Sequence, residues 1–335
     1  MTGRASFRKK VVTDERLEKV NPKNMNLIAQ FLKEKSTRTS PTTIEVYRSN
    51  LHIFFVWNML YNDNKFYVDI KKIEISDFFV YATDTMKLGS SRQNNLRSTL
   101  SSLSNFIIKF YDEDYPEFRN NILNIIETAP KEFRRKKTIL SDEEVQFLLD
   151  TLEKDKPQEA CWVALASCSG ARFSEILRWE VDLIDENNTA FGDIFLETTR
   201  EIKTKGRGKS GKMIYKYIIK DKFLPYYNAW LGKRAEILKE NGLDHNFLFI
   251  KQNGEPATPS VIDGWTRGFT KILGKPIYAH AFRHYLTTLL LYRKIPTNFI
   301  QALFGWESSD MVEVYSDLSV KDLDWSEEMS LLKDL

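Results

Sequence analysis

Cysteine and histidine are scarce in these 335 residues, with two of the first and four of the second. Cys161 and Cys168 stand seven apart in an apolar stretch, with no C-x-x-C pair and no neighbouring histidine. That pattern points to buried thiols and away from a metal centre. Long apolar runs are missing too: none approaches the roughly 18 residues that a membrane-spanning helix needs. The opening MTGRASFRKK lacks the apolar core of a signal peptide. A membrane protein is thereby set aside, and the expected location is the cytoplasm. Internal repeats and low-complexity tracts are also lacking, and the net charge is only +3.

What is present is the balance of a soluble globular protein, 42% apolar and 28% charged, in a length that suits two domains. The charge is unevenly placed. Residues 138–199 carry a net of −10, residues 200–222 a net of +7, and the stretch 128–137 (TAPKEFRRKK) five basic residues against one acidic. Residues 307–335 hold two basic against nine acidic. Such segregation suits a basic surface for a polyanion, with acidic surfaces elsewhere.

Residues 1–21 are polar and expected to be flexible. Helical patterns fill residues 22–127. Leu27, Ile28, Phe31 and Leu32 form one apolar stripe, and Ser40-Pro41 caps a second helix carrying Tyr47, Leu51, Phe54 and Phe55. A third begins near Ser76-Asp77, and a long one spans about 91–110, giving an all-α bundle with an aromatic core. The basic stretch 128–137 reads as a linker. At Ser141-Asp142-Glu143-Glu144 a capping box opens a second domain from about 138. There helices alternate with a strand near 190–199 and a hairpin near 200–219, where Gly206, Gly208 and Gly211 supply the turn. The fold class is mainly α with a small β-sheet.

Three local patterns could carry chemistry. In Ser169-Gly170-Ala171-Arg172-Phe173-Ser174-Glu175, a glycine turn precedes a helix start and sets Arg172 and Glu175 on one face. His280-Ala281-Phe282-Arg283-His284 concentrates two of the four histidines, with His280 and Arg283 sharing a helix face. In the third, Gly305-Trp306 ends one helix, and Ser308-Ser309-Asp310 caps the next, which carries Tyr315. Taken singly each is unremarkable: an Arg–Glu helix pair, packed histidines, a structural tyrosine.

In this order and spacing, the three together resemble the tyrosine recombinases, also called phage-type integrases. That family has G-x-R-x-x-E, then H-x-x-R-H about a hundred residues on, then histidine or tryptophan after glycine and a tyrosine nine residues later. Here Arg283 lies 111 residues after Arg172, and Tyr315 lies 32 after Arg283. The likeness covers about 22–335, since 22–127 also resembles the family's core-binding domain, including Ser40–Tyr47. Trp306 stands where histidine is commonest, Ser-Gly-Ala replaces the usual Thr-Gly-Leu, and the hairpin is longer than usual.

The resemblance implies a core-binding domain at 22–127, a mixed α/β catalytic domain at 138–318, and a C-terminal helix at 319–335 possibly exchanged between subunits. Leu318, Trp325, Met329 and Leu332 fall on one face of that helix. It further implies DNA strand cleavage and rejoining through a 3′-phosphotyrosyl bond to Tyr315, with Arg172 and Arg283 on the non-bridging phosphate oxygens. Forked, permanently charged guanidiniums suit that task better than ammonium groups. His280 would manage the nucleophile's proton, and the Trp306 indole N–H would donate to the phosphate. A hairpin lysine, Lys205 or the alternative Lys203, would protonate the leaving 5′-oxygen. Glu175 would orient Arg172, and His284 would buttress the pocket.

Lys131, Arg134, Arg135, Lys136, Lys137, Arg207, Lys209 and Lys212 would contact DNA phosphates. None of these roles calls for a metal, and neither cofactor nor ATP is expected. The implied partners are double-stranded DNA bearing a specific recombination site and, on that DNA, three further copies of the chain. Bound so, the protein would lie with the nucleoid. Two other readings use the same scaffold, a type IB topoisomerase-like strand transferase and a non-catalytic DNA-binding protein.

Overall fold

A computed structural model describes residues 11–120, 122, 138–204 and 211–306. They fall into two compact units, one N-terminal to residue 123 and one beginning at 138. Among the described residues no helix is long and apolar enough to cross a membrane.

The first unit is helical: α1 (Asp14–Glu18), α2 (Pro22–Ser36), α3 (Pro41–Tyr61), α4 (Lys72–Asp84) and α5 (Ser90–Phe110). Asn21 and Ser40 accept hydrogen bonds from the backbone N–H groups of Lys23 and Thr43 at 3.0 and 3.3 Å. Pro22 and Pro41 follow in the first turn, where a missing N–H goes unfelt. The Leu27, Ile28, Phe31 and Leu32 stripe is buried as its spacing requires. Phe54 meets Phe78 edge to face at 4.9 Å, and Phe31 meets Phe106 at 5.6 Å. These are arrangements that ring quadrupoles favour, so the aromatics here are core.

Two expectations for this unit change. Helix α4 starts at Lys72, four residues before Ser76, because Glu74 accepts the Lys71 backbone N–H at 2.8 Å and pairs with Lys65. And residues 11–20 are packed where a flexible segment was expected. Thr13 caps α1, and Val11 and Val20 join the core.

The second unit surrounds α7 (Pro157–Ser169), which is buried from Ala160 to Ser169. A helix apolar on every side has no face to offer water, so neighbours must cover all of it. They are α6 (Asp142–Leu152), opened by the Ser141 capping box, α9 (Lys220–Glu240) and α11 (Ala279–Tyr292). Burial pushes the thiols of Cys161 and Cys168 well up. The short α8 (Phe173–Ile176), α10 (Pro259–Leu273) and α12 (Thr297–Phe304) are the unit's other α-helices among the described residues.

Strands β1 (Thr189–Ala190), β2 (Phe195–Glu197) and β5 (Tyr217–Ile219) form an antiparallel sheet in the order β1-β2-β5. Strands β3 (Ile202–Thr204) and β4 (Lys212–Ile214) form a separate hairpin, with Lys203 opposite Met213. The single strand expected near 190–199 is thus itself a hairpin. Phe191, Gly192 and Asp193 all take left-handed φ, and the Phe191 ring is held by Tyr217 at 5.1 Å and Phe299 at 5.2 Å. The hairpin expected at 200–219 is shorter, because its last strand leaves to pair with β2.

Candidate active site

The pocket is assembled around the end of α7. Gly170 closes that helix at φ 55, a conformation that disfavours any side chain. Space excludes one as well: a Cβ there would lie 2.0 Å from Phe304. The Gly170 carbonyl accepts a hydrogen bond from Arg283 Nη1 at 2.5 Å. Two residues on, Arg172 is the N-cap of α8, and its backbone N–H donates to Glu175 Oε2 at 2.9 Å. Its guanidinium Nη1 donates to Glu175 Oε1 at 3.0 Å. Lys216 Nζ lies 3.1 Å from Glu175 Oε2. Burial alone would raise the Glu175 carboxyl, but Lys216 and Arg172 outweigh it and hold it below its ordinary value.

Helix α11 supplies the second group. His280 and Arg283 are one turn apart, so they share a face. Arg283 is wholly buried, its guanidinium 4.7 Å from the Phe304 ring centre and 5.0 Å from that of Trp306. Those rings stack at 4.8 Å, and Gly305 between them turns the chain at φ 66. Cations on aromatic faces are attracted by the ring quadrupole, which suits a guanidinium out of water. Burial, with the charges of Arg283, His284 and Arg172 against that of Glu175, pushes His280 down to about 4. Near pH 7 its imidazole is therefore neutral and offers one donor and one acceptor nitrogen.

The structure thus brings Arg172, Glu175, His280, Arg283, His284 and Trp306 into one neighbourhood. His284 is buried, its ring 5.3 Å from that of His280. Trp306 is buried as well, its ring against Arg283 and Phe304. The two arginines differ in access, with the Arg172 side chain 20% exposed and Arg283 not at all. Lys203 and Lys212 are exposed on the β3–β4 hairpin, whose first strand is tied down by Arg178 Nη2 donating to the Lys203 carbonyl at 2.7 Å. Tyr315, Lys205, Arg207, Lys209 and the linker residues Lys131, Arg134, Arg135, Lys136 and Lys137 lie outside the described residues. So does the terminal stretch 319–335.

Sequence reasoning missed Lys216 and Phe304. A signal for Lys216 existed: in Ile214-Tyr215-Lys216-Tyr217-Ile218 the lysine has the parity of the inward isoleucines, where a charge needs a buried partner. Two fixed cations, a neutral imidazole and a paired carboxylate can bind an oxyanion and move a proton beside it.

The fold is that of the tyrosine recombinases and integrases. XerH recombinase bound to its palindromic difH substrate superposes with a TM-score of 0.65 at 19% identity, over 87% of this chain and 80% of that one. The Tn1549 transposon integrase in complex with transposon right-end DNA gives 0.65 at 15% identity, over 92% and 99%. Residues 138–322 match the phage integrase family, more than half of the chain, and the chain belongs to that family. Tyrosine recombinase XerC of Rickettsia prowazekii is 23% identical over 295 residues, 85% of this chain and 89% of that protein. Tyrosine recombinase XerA of Pyrococcus furiosus is 26% identical over 187 residues, which cover 55% of this chain and only 58% of that protein. The enzyme class is accordingly tyrosine recombinase, and its field of action is DNA recombination.

Proposed function

We propose that this chain is a site-specific recombinase that cleaves and rejoins DNA through a 3′-phosphotyrosyl bond to Tyr315. The observation that carries the reading is the convergence of Arg172 and Arg283 with a neutral His280 around one pocket. In the step proposed, the Tyr315 oxygen attacks phosphorus in line while its proton passes to His280. The bond to the 5′-oxygen breaks, and Lys205, or the alternative Lys203, protonates that oxygen. Arg172 and Arg283 carry the charge that grows on the non-bridging oxygens, with Trp306 donating beside them. Because the phosphotyrosine conserves the bond energy, attack by a 5′-hydroxyl reverses each transfer without ATP or metal. Arg283 is sealed while Arg172 is partly open, so the phosphate meets Arg172 first, and whatever covers Arg283 yields as DNA docks.

The partner is duplex DNA carrying the enzyme's own site, gripped by the basic residues of 128–137 and of the hairpin, with four copies of the chain on paired sites. The stretch 319–335 would join neighbouring copies. The test is a nicked suicide duplex taken from inverted repeats beside the gene. Wild type forms an SDS-stable adduct, while Tyr315→Phe binds and forms none. Arg172→Ala and Arg283→Ala each lose about 10²–10³ in cleavage rate, as removal of one transition-state donor does. An adduct that survives Tyr315→Phe overturns the proposal. Efficient relaxation of a supercoiled plasmid without sites would instead favour a topoisomerase-like enzyme.

A further inference from the structure

Lys216 has no place in the reaction just described, yet it is the least accessible cation near the pocket beside Arg283. Its backbone is clamped: the N–H donates to Thr198 Oγ1 at 3.0 Å, and the carbonyl accepts from the Thr198 N–H at 2.9 Å. With β5 paired to β2 from the next residue on, the side chain has the inward parity of Ile218. It is 0% exposed, and so is the Glu175 side chain that it meets at 3.1 Å. Burying an ammonium and a carboxylate together is unfavourable even when they pair, and apolar residues of equal volume would serve packing at least as well. The placement therefore asks for a reason beyond stability.

The charge count supplies one. Arg172 and Glu175 alone form a neutral pair, and a neutral pair draws an anion weakly. With Lys216 on the other carboxylate oxygen, the trio carries one net positive charge, and its exposed end is Arg172. We infer that Lys216 is a positioning residue for DNA cleavage, which neutralises and aligns Glu175 so that the Arg172 guanidinium keeps its charge for the scissile phosphate. Sealed as it is, Lys216 acts through Glu175 and touches no substrate. The inference rests on the reading of this pocket as a phosphodiester-cleaving site.

A pH signature accompanies it. Burial pushes Lys216 down to about 8, Glu175 pulls it up, and Arg283 from α11 and Arg172 beside α8 push it further down. Among the described residues those three are the charged groups that face it. As pH rises through that value the ammonium loses its proton, the trio loses its net charge, and cleavage slows.

The experiment uses the full chain, the nicked suicide duplexes from the flanking inverted repeats, and inorganic phosphate as a second probe. K216M slows single-turnover cleavage about tenfold, less than loss of a direct donor does. DNA affinity stays within about twofold, since contacts to exposed phosphates set it. K216R restores cleavage and removes the fall above pH 8 that wild type shows. Phosphate binding, followed through the Arg172 guanidinium signals by NMR, weakens several-fold in K216M and recovers in K216R. Wild-type cleavage or unchanged phosphate affinity in K216M overturns the inference. If K216M does not fold, K216R decides, and the same alkaline fall in K216R as in wild type overturns it. A wild type that forms no adduct while phosphate binding still depends on Lys216 refutes the recombinase reading and the role in cleavage with it, and leaves Lys216 as a residue that tunes the anion affinity of Arg172.

Discussion

The helical unit and the catalytic unit bury different kinds of polar group. Among the described residues, the first hides asparagine, serine and threonine, with Asn24, Asn50, Asn58 and Asn62 the largest of them. The second hides serine and threonine too, but in place of asparagine it hides Glu175, Lys216, Arg234, Arg283 and His284. Neutral amides are cheap to satisfy with backbone groups. Asn24 donates to the Lys65 carbonyl at 2.8 Å and accepts the Tyr67 N–H at 2.9 Å, which locks a loop. Charges are tolerated inside only when paired or hydrogen-bonded, and a buried ion pair is weak evidence of stability. Arg234 sharpens the lesson, because it is a buried cation outside the pocket. It donates to the carbonyls of Phe247 and His245 at 2.8 and 2.6 Å, serving a loop as Asn24 does. What marks the pocket is charge answering charge, as Lys216 and Arg172 do on Glu175.

The sharpest way to break this contrast is Glu175→Ala. It strands Lys216 in the interior, and removing one member of a buried pair costs about 3–5 kcal/mol. Hydrogen exchange read peptide by peptide in the full chain should report that loss in residues 138–306 and none in residues 11–120. Equal loss in both would mean that the units share one cooperative transition. Asn24→Ala is the counterpart in the helical unit. It leaves the Tyr67 N–H without its partner and the Lys65 carbonyl with Asn58 as donor, at about 1–3 kcal/mol for a buried group. Here the loss should be confined to the first unit and should not vary between pH 5 and 8.

A gentler effect separates the units by pH alone. His280 is pushed down to about 4 from an ordinary value near 6.5. Between those two values the unfolded chain binds the proton and the folded pocket refuses it, so stability falls as pH drops through that window. Glu175 adds to the loss at lower pH, because its carboxyl is held below the usual range and its contribution disappears only when it protonates. Urea midpoints of the catalytic unit should therefore decline from pH 7 to 4.5, and His280→Gln should flatten the decline. A slope untouched by that substitution would place the acid sensitivity elsewhere.

Local signals in the sequence carried much of this arrangement. Ser40-Pro41 and Ser141–Glu144 marked helix starts, and one helical turn between His280 and Arg283 predicted a shared face, all within reach of short-range rules. What escaped depends on long-range pairing. Lys216 meets Glu175 only because β5 returns to β2, and no local pattern announces that return. The Phe191–Asp193 turn escaped for the same reason, since its left-handed phenylalanine is held by Tyr217 and Phe299 from other elements. The start of α4 at Lys72 needed the Glu74 carboxylate, the N3 half of a capping box, since no serine, threonine or asparagine precedes the helix.

The finest contrast is between two serine caps, one in each unit. Ser40 accepts the Thr43 N–H at 3.3 Å, and its hydroxyl lies 3.0 Å from that of Thr43, so every group involved is neutral. Ser141 accepts the Glu144 N–H at 3.2 Å, while the Glu144 carboxylate takes the Ser141 N–H at 2.9 Å and pairs with Lys275 at 2.5 Å. Either Ser→Ala change should cost about 1 kcal/mol, the usual worth of an N-cap. The caps should part company with salt: screening weakens the tie between Glu144 and Lys275, whereas every group at Ser40 is neutral. Comparing the two alanine variants in low and high salt through each unit's exchange rates would test this. Loss of salt dependence at α6 in Glu144→Gln, with the Ser40 cap unmoved, is the expected outcome, and a cap at Ser40 that weakened equally with salt would contradict it.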